Sequence, residues 1–292
     1  ISNNEKITKN DMKKFLLEYK IGHLSQSPLI RSSKVLKVIN EISNGNPFIK
    51  NGTILPFNSS GPLIITTGRI SPQKGFEMIL NSIPVIIKKI PNIKFLFLVL
   101  PTDYSLDEIK DYANYVKMYP DNLRIIFGVA SDIFYLAHLA ADVYCALSRW
   151  EPFGIMALEA MASKLPIIAT RVGGLQETVL DITDHPKIGT GVLIEKDNAK
   201  QFEEALISLV KSAEVDNSAK ILNATSSKDL KLLEIINQIP NNKIKANVML
   251  NPNYYKKIEE NCYNRVKNNF TWKKVSQKLI KLYRTLFEME KR

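Results

Sequence analysis

The sequence predicts an α/β fold, a doubly wound parallel sheet of the Rossmann-like type with extra flanking helices. Between residues 62 and 212, short apolar runs rich in β-branched residues alternate with stretches of helical periodicity. This alternation implies right-handed crossovers between parallel strands. Glycine or charged residues follow four of the apolar runs. In a parallel sheet such loops meet at the carboxyl-terminal edge, which is where ligands bind.

Six buried strands are predicted in this core, because each apolar run is short and ends at polar residues, proline or glycine. The runs cover residues 63–67, 94–100, 123–127, 141–146, 166–170 and 191–194. Helices are predicted between them at 76–89, at 107–119, from 131, from 154, just after 174 and at 198–212. We expect Ser131 to cap its helix, since a serine hydroxyl can accept a hydrogen bond from a first-turn amide.

The pattern divides the chain into four predicted segments. These are an N-terminal flanking segment at 1–61 with helices at 11–19 and 34–42, the core at 62–212, an insertion or long connection at 213–253 with an amphipathic stretch at 228–238, and C-terminal helices at 254–292. The two C-terminal helices are expected to separate near Asn269-Phe270-Thr271, where Thr271 could cap the second helix.

Composition narrows the possible functions. The net charge is +11, but lysines and arginines are scattered and form no recognition helix or zinc finger, which argues against a nucleic-acid partner. No apolar run approaches the roughly 20 residues of a membrane helix, and no signal peptide is recognisable. Cys145 and Cys262 lie far apart without metal-ligand spacing, and Cys145 is expected to be buried and inert. We therefore expect a soluble cytoplasmic protein with no membrane partner and no metal site.

The turn after the fourth predicted strand places two carboxylates eight positions apart, at Glu151 and Glu159. Pro152-Phe153-Gly154 lies between them and opens an apolar helix, whose first amides at Gly154 and Ile155 lack intrahelical acceptors. Such amides and the helix dipole form a seat for phosphate. Glu159 interrupts an otherwise apolar stretch, so we expect a buried carboxylate that needs a partner such as a ribose hydroxyl. A glycosidase-type pair of acid and nucleophile is the rival interpretation.

A second charged loop follows the first predicted strand. Gly68 would permit close approach of the backbone, and Arg69 and Lys74 stand five positions apart. A guanidinium offers a fork to phosphate oxygens and an ammonium supplies a point charge. Across the sheet edge from Glu151, these two cations favour a site for a diphosphate-linked sugar. The alternative is that both are surface charges on a loop.

Three motifs together resemble the C-terminal domain of the glycogen and starch synthases. They are Gly68-Arg69 with Lys74-Gly75, Ser148–Gly154 with Leu158–Met161, and Val172–Thr178. The resemblance covers roughly residues 60–212 and 254–290. It implies the C-terminal half of a retaining GT-B glycosyltransferase with the E-x7-E signature.

The resemblance also implies roles for residues of this chain. Arg69, Lys74 and Glu151 would be catalytic, with the two cations on the diphosphate of ADP-glucose or UDP-glucose and Glu151 on the glucose hydroxyls. The remaining donor-binding residues would be Gly68, Gly128, Val129, Phe153, Gly154, Ile155, Glu159, Gly173 and Gly174. Glu159 would bind the ribose, and the loop at Gly173-Gly174 would line the donor pocket. No cofactor or metal would be needed.

The implied reaction moves glucose, with retained configuration, onto an α-1,4-glucan. The chain begins at Ile1, and no counterpart of the family's N-terminal acceptor domain is found in it. We therefore expect the isolated chain to bind donor weakly and not to elongate glucan. Two alternatives stay open: a retaining transferase with another sugar or acceptor, and a non-catalytic domain that binds a nucleotide sugar or glucan and regulates a partner.

Overall fold

A computed structural model describes residues 7–49, 54–221 and 228–290, so the predictions for the remaining positions lie outside the described residues. Within this part of the chain a six-stranded parallel sheet has the order β3-β2-β1-β4-β5-β6. The strands are β1 Leu63–Arg69, β2 Lys94–Leu100, β3 Leu123–Phe127, β4 Val143–Ala146, β5 Ile167–Thr170 and β6 Gly191–Ile194. The predicted doubly wound α/β fold is thereby confirmed.

Helices cover the sheet and extend to both ends of the described chain. They are α1 Lys9–Glu18, α2 Ser33–Ser43, α3 Phe76–Lys89, α4 Leu106–Met118, α5 Ser131–Ala140, α6 Ile155–Ala162, α7 Leu175–Thr178, α8 Ala199–Ile221, α9 Lys228–Asn237, α10 Asn242–Leu250, α11 Tyr254–Asn269 and α12 Trp272–Glu290. The polar stretch after residue 212 is thus largely helical, because α8 continues to Ile221 and two further helices follow it. The division into four segments stays a prediction.

The two predicted helix caps have different outcomes. The cap at Thr271 is confirmed, since the Lys274 amide donates to the Thr271 hydroxyl at 3.4 Å. The cap at Ser131 is wrong, because α5 already begins at Ser131, and Ala130 occupies the capping position without a side-chain hydrogen bond.

One hydrophobic core joins the N-terminal segment to the sheet. Leu16 and Ile21 belong to the same buried cluster as the strand residues and Cys262. A buried ion pair reinforces this contact, with Lys13 Nζ 2.7 Å from Asp142 Oδ2. The same carboxylate accepts a hydrogen bond from the amide at the start of β1, 2.7 Å away. The N-terminal segment is therefore built into the sheet's core.

Both cysteines are buried, and burial raises the pKa of each thiol. This confirms the inert environment predicted for Cys145. Among the helices that the structure describes, none is both long and apolar enough to span a bilayer.

Candidate functional site

A cavity of about 680 Å³ opens at the carboxyl-terminal edge of the sheet, beyond β1, β3 and β4. Six of the twelve predicted site residues line it: Gly68, Arg69, Lys74, Gly128, Val129 and Glu151. The lining does not include Phe153, Gly154, Ile155, Glu159, Gly173 or Gly174. The fold therefore brings together the two predicted cations, one predicted carboxylate and the loop after β3.

The loop after β1 presents its two cations in different ways. Arg69 ends the strand and is exposed, and its side chain makes no ion pair or hydrogen bond with a described residue. A single turn of 3₁₀ helix at Pro72–Lys74 follows, and Gly75 adopts φ +63° before α3 begins. A Cβ at that glycine would lie 2.2 Å from the Leu147 carbonyl oxygen, so this loop contacts the loop after β4 through its backbone.

Lys74 and Glu151 meet inside the cavity as an ion pair. Lys74 Nζ lies 2.6 Å from Glu151 Oε2, and the two side chains are only 18% and 16% exposed. The Ser148 hydroxyl also donates to the same carboxylate oxygen at 3.4 Å. An anion that binds Lys74 would therefore share the ammonium, which has three N–H donors, with the Glu151 carboxylate.

The helix after the Glu151 turn begins at Ile155, one residue later than predicted, and Ile155 does not line the cavity. Gly154 precedes it with φ +88°, and a Cβ there would lie 2.7 Å from the Leu175 side chain. Among the described residues, no acceptor is found for the amides of Gly154 or Ile155. Only Met156, in the first turn, reaches the cavity lining. A phosphate contact of these amides remains a prediction.

The expected burial of Glu159 is wrong. α6 buries Ala157, Ala160 and Met161, and turns Ile155 and Glu159 toward solvent, one helical turn apart. Partial burial still raises the pKa of the Glu159 carboxyl. The exposed carboxylate needs no protein partner, and its contact with ribose remains a prediction.

Gly173 and Gly174 support the Glu151 turn from the side of β5. Gly173 has φ +42°, and a Cβ there would stand 2.1 Å from the Glu151 carbonyl oxygen. The Gly174 amide donates to that oxygen at 2.9 Å. The two glycines therefore contact the backbone of Glu151 and do not line the cavity, which differs from the expectation.

Several cavity residues were not predicted from the sequence. Gln73 donates from Nε2 to the Trp150 carbonyl at 2.8 Å, and both residues line the cavity. Phe134 and Tyr135, in the first turns of α5, add aromatic rings beside Val129. Their position just beyond the Gly128 loop was the available signal, because a helix that follows a strand-end loop starts at the ligand edge.

The N-terminal segment forms the outer support of that loop. Leu29 and Val129 exchange backbone hydrogen bonds of 2.9 and 3.1 Å. Nearby, Asp132 accepts from the Ser25 amide at 3.1 Å and pairs with Lys20 Nζ at 2.8 Å. Burial opposes ionisation of Asp132, but the Lys20 and Ser25 hydrogen bonds outweigh it and lower its pKa to about 2. The N-terminal segment thus holds both the loop at Gly128-Val129 and the first turn of α5.

Solved structures with this fold include two glycosyltransferases of the GT-B architecture. Sucrose-phosphate synthase from Thermosynechococcus elongatus superposes with a TM-score of 0.52 at 22% identity, over 78% of this chain and 46% of that one. Anabaena HepE in complex with UDP gives a TM-score of 0.53 at 14% identity, over 88% and 54%. At these identities the likeness shows the fold alone.

Curated proteins similar in sequence include several glycogen synthases. The probable glycogen synthase of Methanocaldococcus jannaschii is 32% identical over 140 residues, which is 46% of this chain and 26% of that protein. The glycogen synthase of Thermodesulfovibrio yellowstonii is 25% identical over 272 residues, or 92% and 44%. The matched part of the chain therefore spans 26% and 44% of the length of these two relatives.

The family described as "Glycosyl transferases group 1" matches residues 50–225, which include all six strands and the whole cavity. More than half of the chain is covered by this match. The chain belongs to the glycosyl transferases group 1 family.

Proposed function

We propose that the cavity binds the nucleotide-sugar donor of a retaining glucosyltransferase, ADP-glucose or UDP-glucose. One observation carries the proposal: Arg69, whose side chain has no partner among the residues that the structure describes, and the Lys74–Glu151 ion pair share a cavity with an apolar wall. Its volume of about 680 Å³ lies within the usual range of about 300–1,000 Å³ for ligand pockets.

The polar side of the cavity suits a sugar diphosphate. The Arg69 guanidinium, which contacts no acceptor in the described part of the chain, can donate to phosphate oxygens, and Lys74 adds a second cation five residues away. In glycosyl transfer, the bond between sugar and phosphate breaks, so negative charge grows on the departing diphosphate. Two fixed cations stabilise that charge more in the transition state than in the bound substrate. Glu151 would accept hydrogen bonds from the sugar hydroxyls.

The other side of the cavity suits a nucleobase. Leu98, Leu100 and Val129 present apolar surface, and the rings of Phe134 and Tyr135 contact each other edge to face at 5.5 Å. Bases bind to such surfaces by stacking and apolar contact, with little selection by charge. The wall leaves adenine and uracil as equal candidates, which is why both donors are named.

For the complete reaction, we propose elongation of an α-1,4-glucan with retained configuration. The support is the similarity to glycogen synthases, together with the Glu151 turn and its partner loops. The glucan acceptor would bind to a part that lies outside this chain, as the resemblance implies, so the isolated chain would bind donor weakly and would not elongate glucan. The donor site would need neither cofactor nor metal, because Arg69 and Lys74 supply the positive charge.

Calorimetric titration tests the donor site. ADP-glucose, UDP-glucose, ADP and UDP are each titrated into the wild-type chain, Arg69→Ala and Arg284→Ala. The control Arg284→Ala makes the same charge change at an exposed position of α12, outside the cavity. Losing charge-assisted hydrogen bonds worth about 1.5–3 kcal/mol should weaken binding about 10- to 100-fold in Arg69→Ala. No binding at millimolar donor, or equal affinity in the two variants, would refute the donor site.

A further inference from the structure

We propose that Arg149 is a positioning residue that fixes Lys74 and Glu151 in register for donor binding. This inference rests on the proposed donor site. Arg149 lies two positions before Glu151 in the loop after β4, but it does not line the cavity. It therefore acts through the residues that do.

The loops after β1 and β4 are joined by a series of polar contacts. The Arg149 amide donates to the Gln73 carbonyl at 2.7 Å, and Gln73 Nε2 donates to the Trp150 carbonyl at 2.8 Å. The next residue of each loop, Lys74 and Glu151, forms the ion pair at 2.6 Å. The two loops thus run side by side, with the charged pair at the end that faces the cavity.

The guanidinium of Arg149 anchors this arrangement through three acceptors in two distant parts of the fold. Its Nη1 donates to the Pro72 carbonyl and to Glu77, which lies in the first turn of α3. Its Nε donates at 2.8 Å to Asp197, in the loop between β6 and α8. The acceptors lie 77, 72 and 48 positions away in the sequence, so one side chain ties the loop after β4 to the start of α3 and to the loop after β6, which meet only in the folded chain.

The comparison with Arg69 separates two roles for arginine at this edge. Arg69 has no partner among the described residues and lines the cavity, so its donors are available to a ligand. In contrast, Nε and Nη1 of Arg149 already donate hydrogen bonds to two carboxylates and one carbonyl. Substitution of Arg149 should therefore alter donor binding only by displacing Lys74 and Glu151.

Methionine is the informative replacement, because it keeps an unbranched apolar stem and removes all three guanidinium contacts. In Arg149→Met we expect donor affinity to fall about 10-fold, which corresponds to one displaced charge-assisted hydrogen bond. Arg149→Lys should recover part of this loss, since an ammonium can reach one carboxylate but lacks the fork. Arg171→Met is the matched control: Arg171 also pairs with two carboxylates, Asp181 and Glu195, and does not line the cavity.

A double-mutant cycle with Lys74→Met distinguishes positioning from general destabilisation. If Arg149 acts through Lys74, its replacement should cost less than about 2-fold in donor affinity when Lys74 is already gone. Equal 10-fold losses in both backgrounds would overturn the inference. So would wild-type affinity in Arg149→Met, or an equal loss in Arg171→Met. Asp197→Asn, which removes only one contact, provides the same cycle if Arg149→Met does not fold.

Failure of the donor site itself gives a different result. In that case the wild-type chain binds no sugar nucleotide, or Arg69→Ala binds as well as wild type, and both proposals fall together. Donor binding that depends on Arg69 but not on Arg149 overturns the positioning role alone.

Discussion

Replacement of Glu151 by glutamine should strengthen binding of the diphosphate while weakening selection for the sugar. Wild-type Lys74 already donates to Glu151 at 2.6 Å, so a diphosphate has to share the charge of the ammonium with this carboxylate. Glu151→Gln keeps the shape of the side chain and removes its charge. The ammonium then becomes available to phosphate, and the repulsion between carboxylate and diphosphate disappears.

The size of the effect follows from the exposure of the pair. Exposed ion pairs contribute about 0–1 kcal/mol, and breaking a buried pair costs about 3–5 kcal/mol. The Lys74 and Glu151 side chains are 18% and 16% exposed, so their pair lies between these two classes. We therefore take the contribution of this ion pair to be about 1–2 kcal/mol. Affinity for ADP or UDP should therefore rise about 5- to 30-fold in the variant.

The sugar responds in the opposite direction. A hydrogen bond to a carboxylate is stronger than one to an amide by about 1 kcal/mol. The preference for the sugar nucleotide over the matching diphosphate should therefore fall about 5-fold in Glu151→Gln. Calorimetric titration of the diphosphate and the sugar nucleotide measures both the diphosphate affinity and the preference for the sugar nucleotide. Glu41→Gln, on the exposed face of α2, controls for the change in net charge. Unchanged or weaker diphosphate binding in Glu151→Gln would refute the competition between carboxylate and phosphate.

Three further changes test the framework around the cavity. Gly75→Ala should destabilise the chain by at least about 1–2 kcal/mol in urea titrations, because its φ is +63° and the new Cβ would clash with the Leu147 carbonyl. Lys13→Met leaves Asp142 buried without its cation, and the free energy of unfolding should fall by about 3–5 kcal/mol. Asp132 has a folded pKa of about 2, below its unfolded value of about 3.9, so its stabilisation is present above pH 4 and is lost as pH falls through 2. Asp132→Asn should flatten the loss of thermal stability over that interval.

Matched variants give each of these results a reference. Gly45→Ala meets no atom closer than 4.0 Å, so it should stay within about 0.5 kcal/mol of wild type. Lys9→Met removes a more exposed pair, with Glu259, and should cost about 0–1 kcal/mol. The reasoning for Gly75 or Lys13 fails if either variant is no less stable than its reference. For Asp132, a pH dependence identical to wild type between pH 4 and 2 would contradict the lowered pKa.

The sheet could be predicted closely from the sequence because its strands are buried on both faces. Such strands are continuous apolar runs, and the predicted bounds of β2, β3 and β6 agree with the structure residue for residue. The end of α8 was missed for the opposite reason. Its last turns contain Asp216, Asn217 and Ser218, which disfavour helix, yet Val215 is fully buried and packs in the core. Tertiary packing there outweighs local propensity.

The site was predictable as a set of loops but not as a set of contacts. Arg69, Lys74 and Glu151 follow neighbouring strands, and parallel topology requires their loops to meet. The direct pairing of Lys74 with Glu151 depends on the backbone contact at Gly75, which the sequence does not reveal. The burial of Glu159 was misjudged because the whole of α6 is apolar in sequence, although it buries only one face.

Three cations at one sheet edge have the same appearance in sequence, and their partners in the folded chain separate them. Arg149 is bound by carboxylates whose own positions are set by α3 and the β6 loop, so it is committed to the fold. Arg69 has no partner among the described residues and is available to a ligand throughout. Lys74 stands between them, since its partner Glu151 itself lines the cavity. Under the proposed function, a donor that carries both diphosphate and sugar would offer a partner to each member of that pair, whereas a diphosphate alone would draw the ammonium away from Glu151 and give the carboxylate no hydroxyl in return. The ion pair would then make the cavity selective for the intact donor over its product, and so would favour release of the diphosphate after transfer.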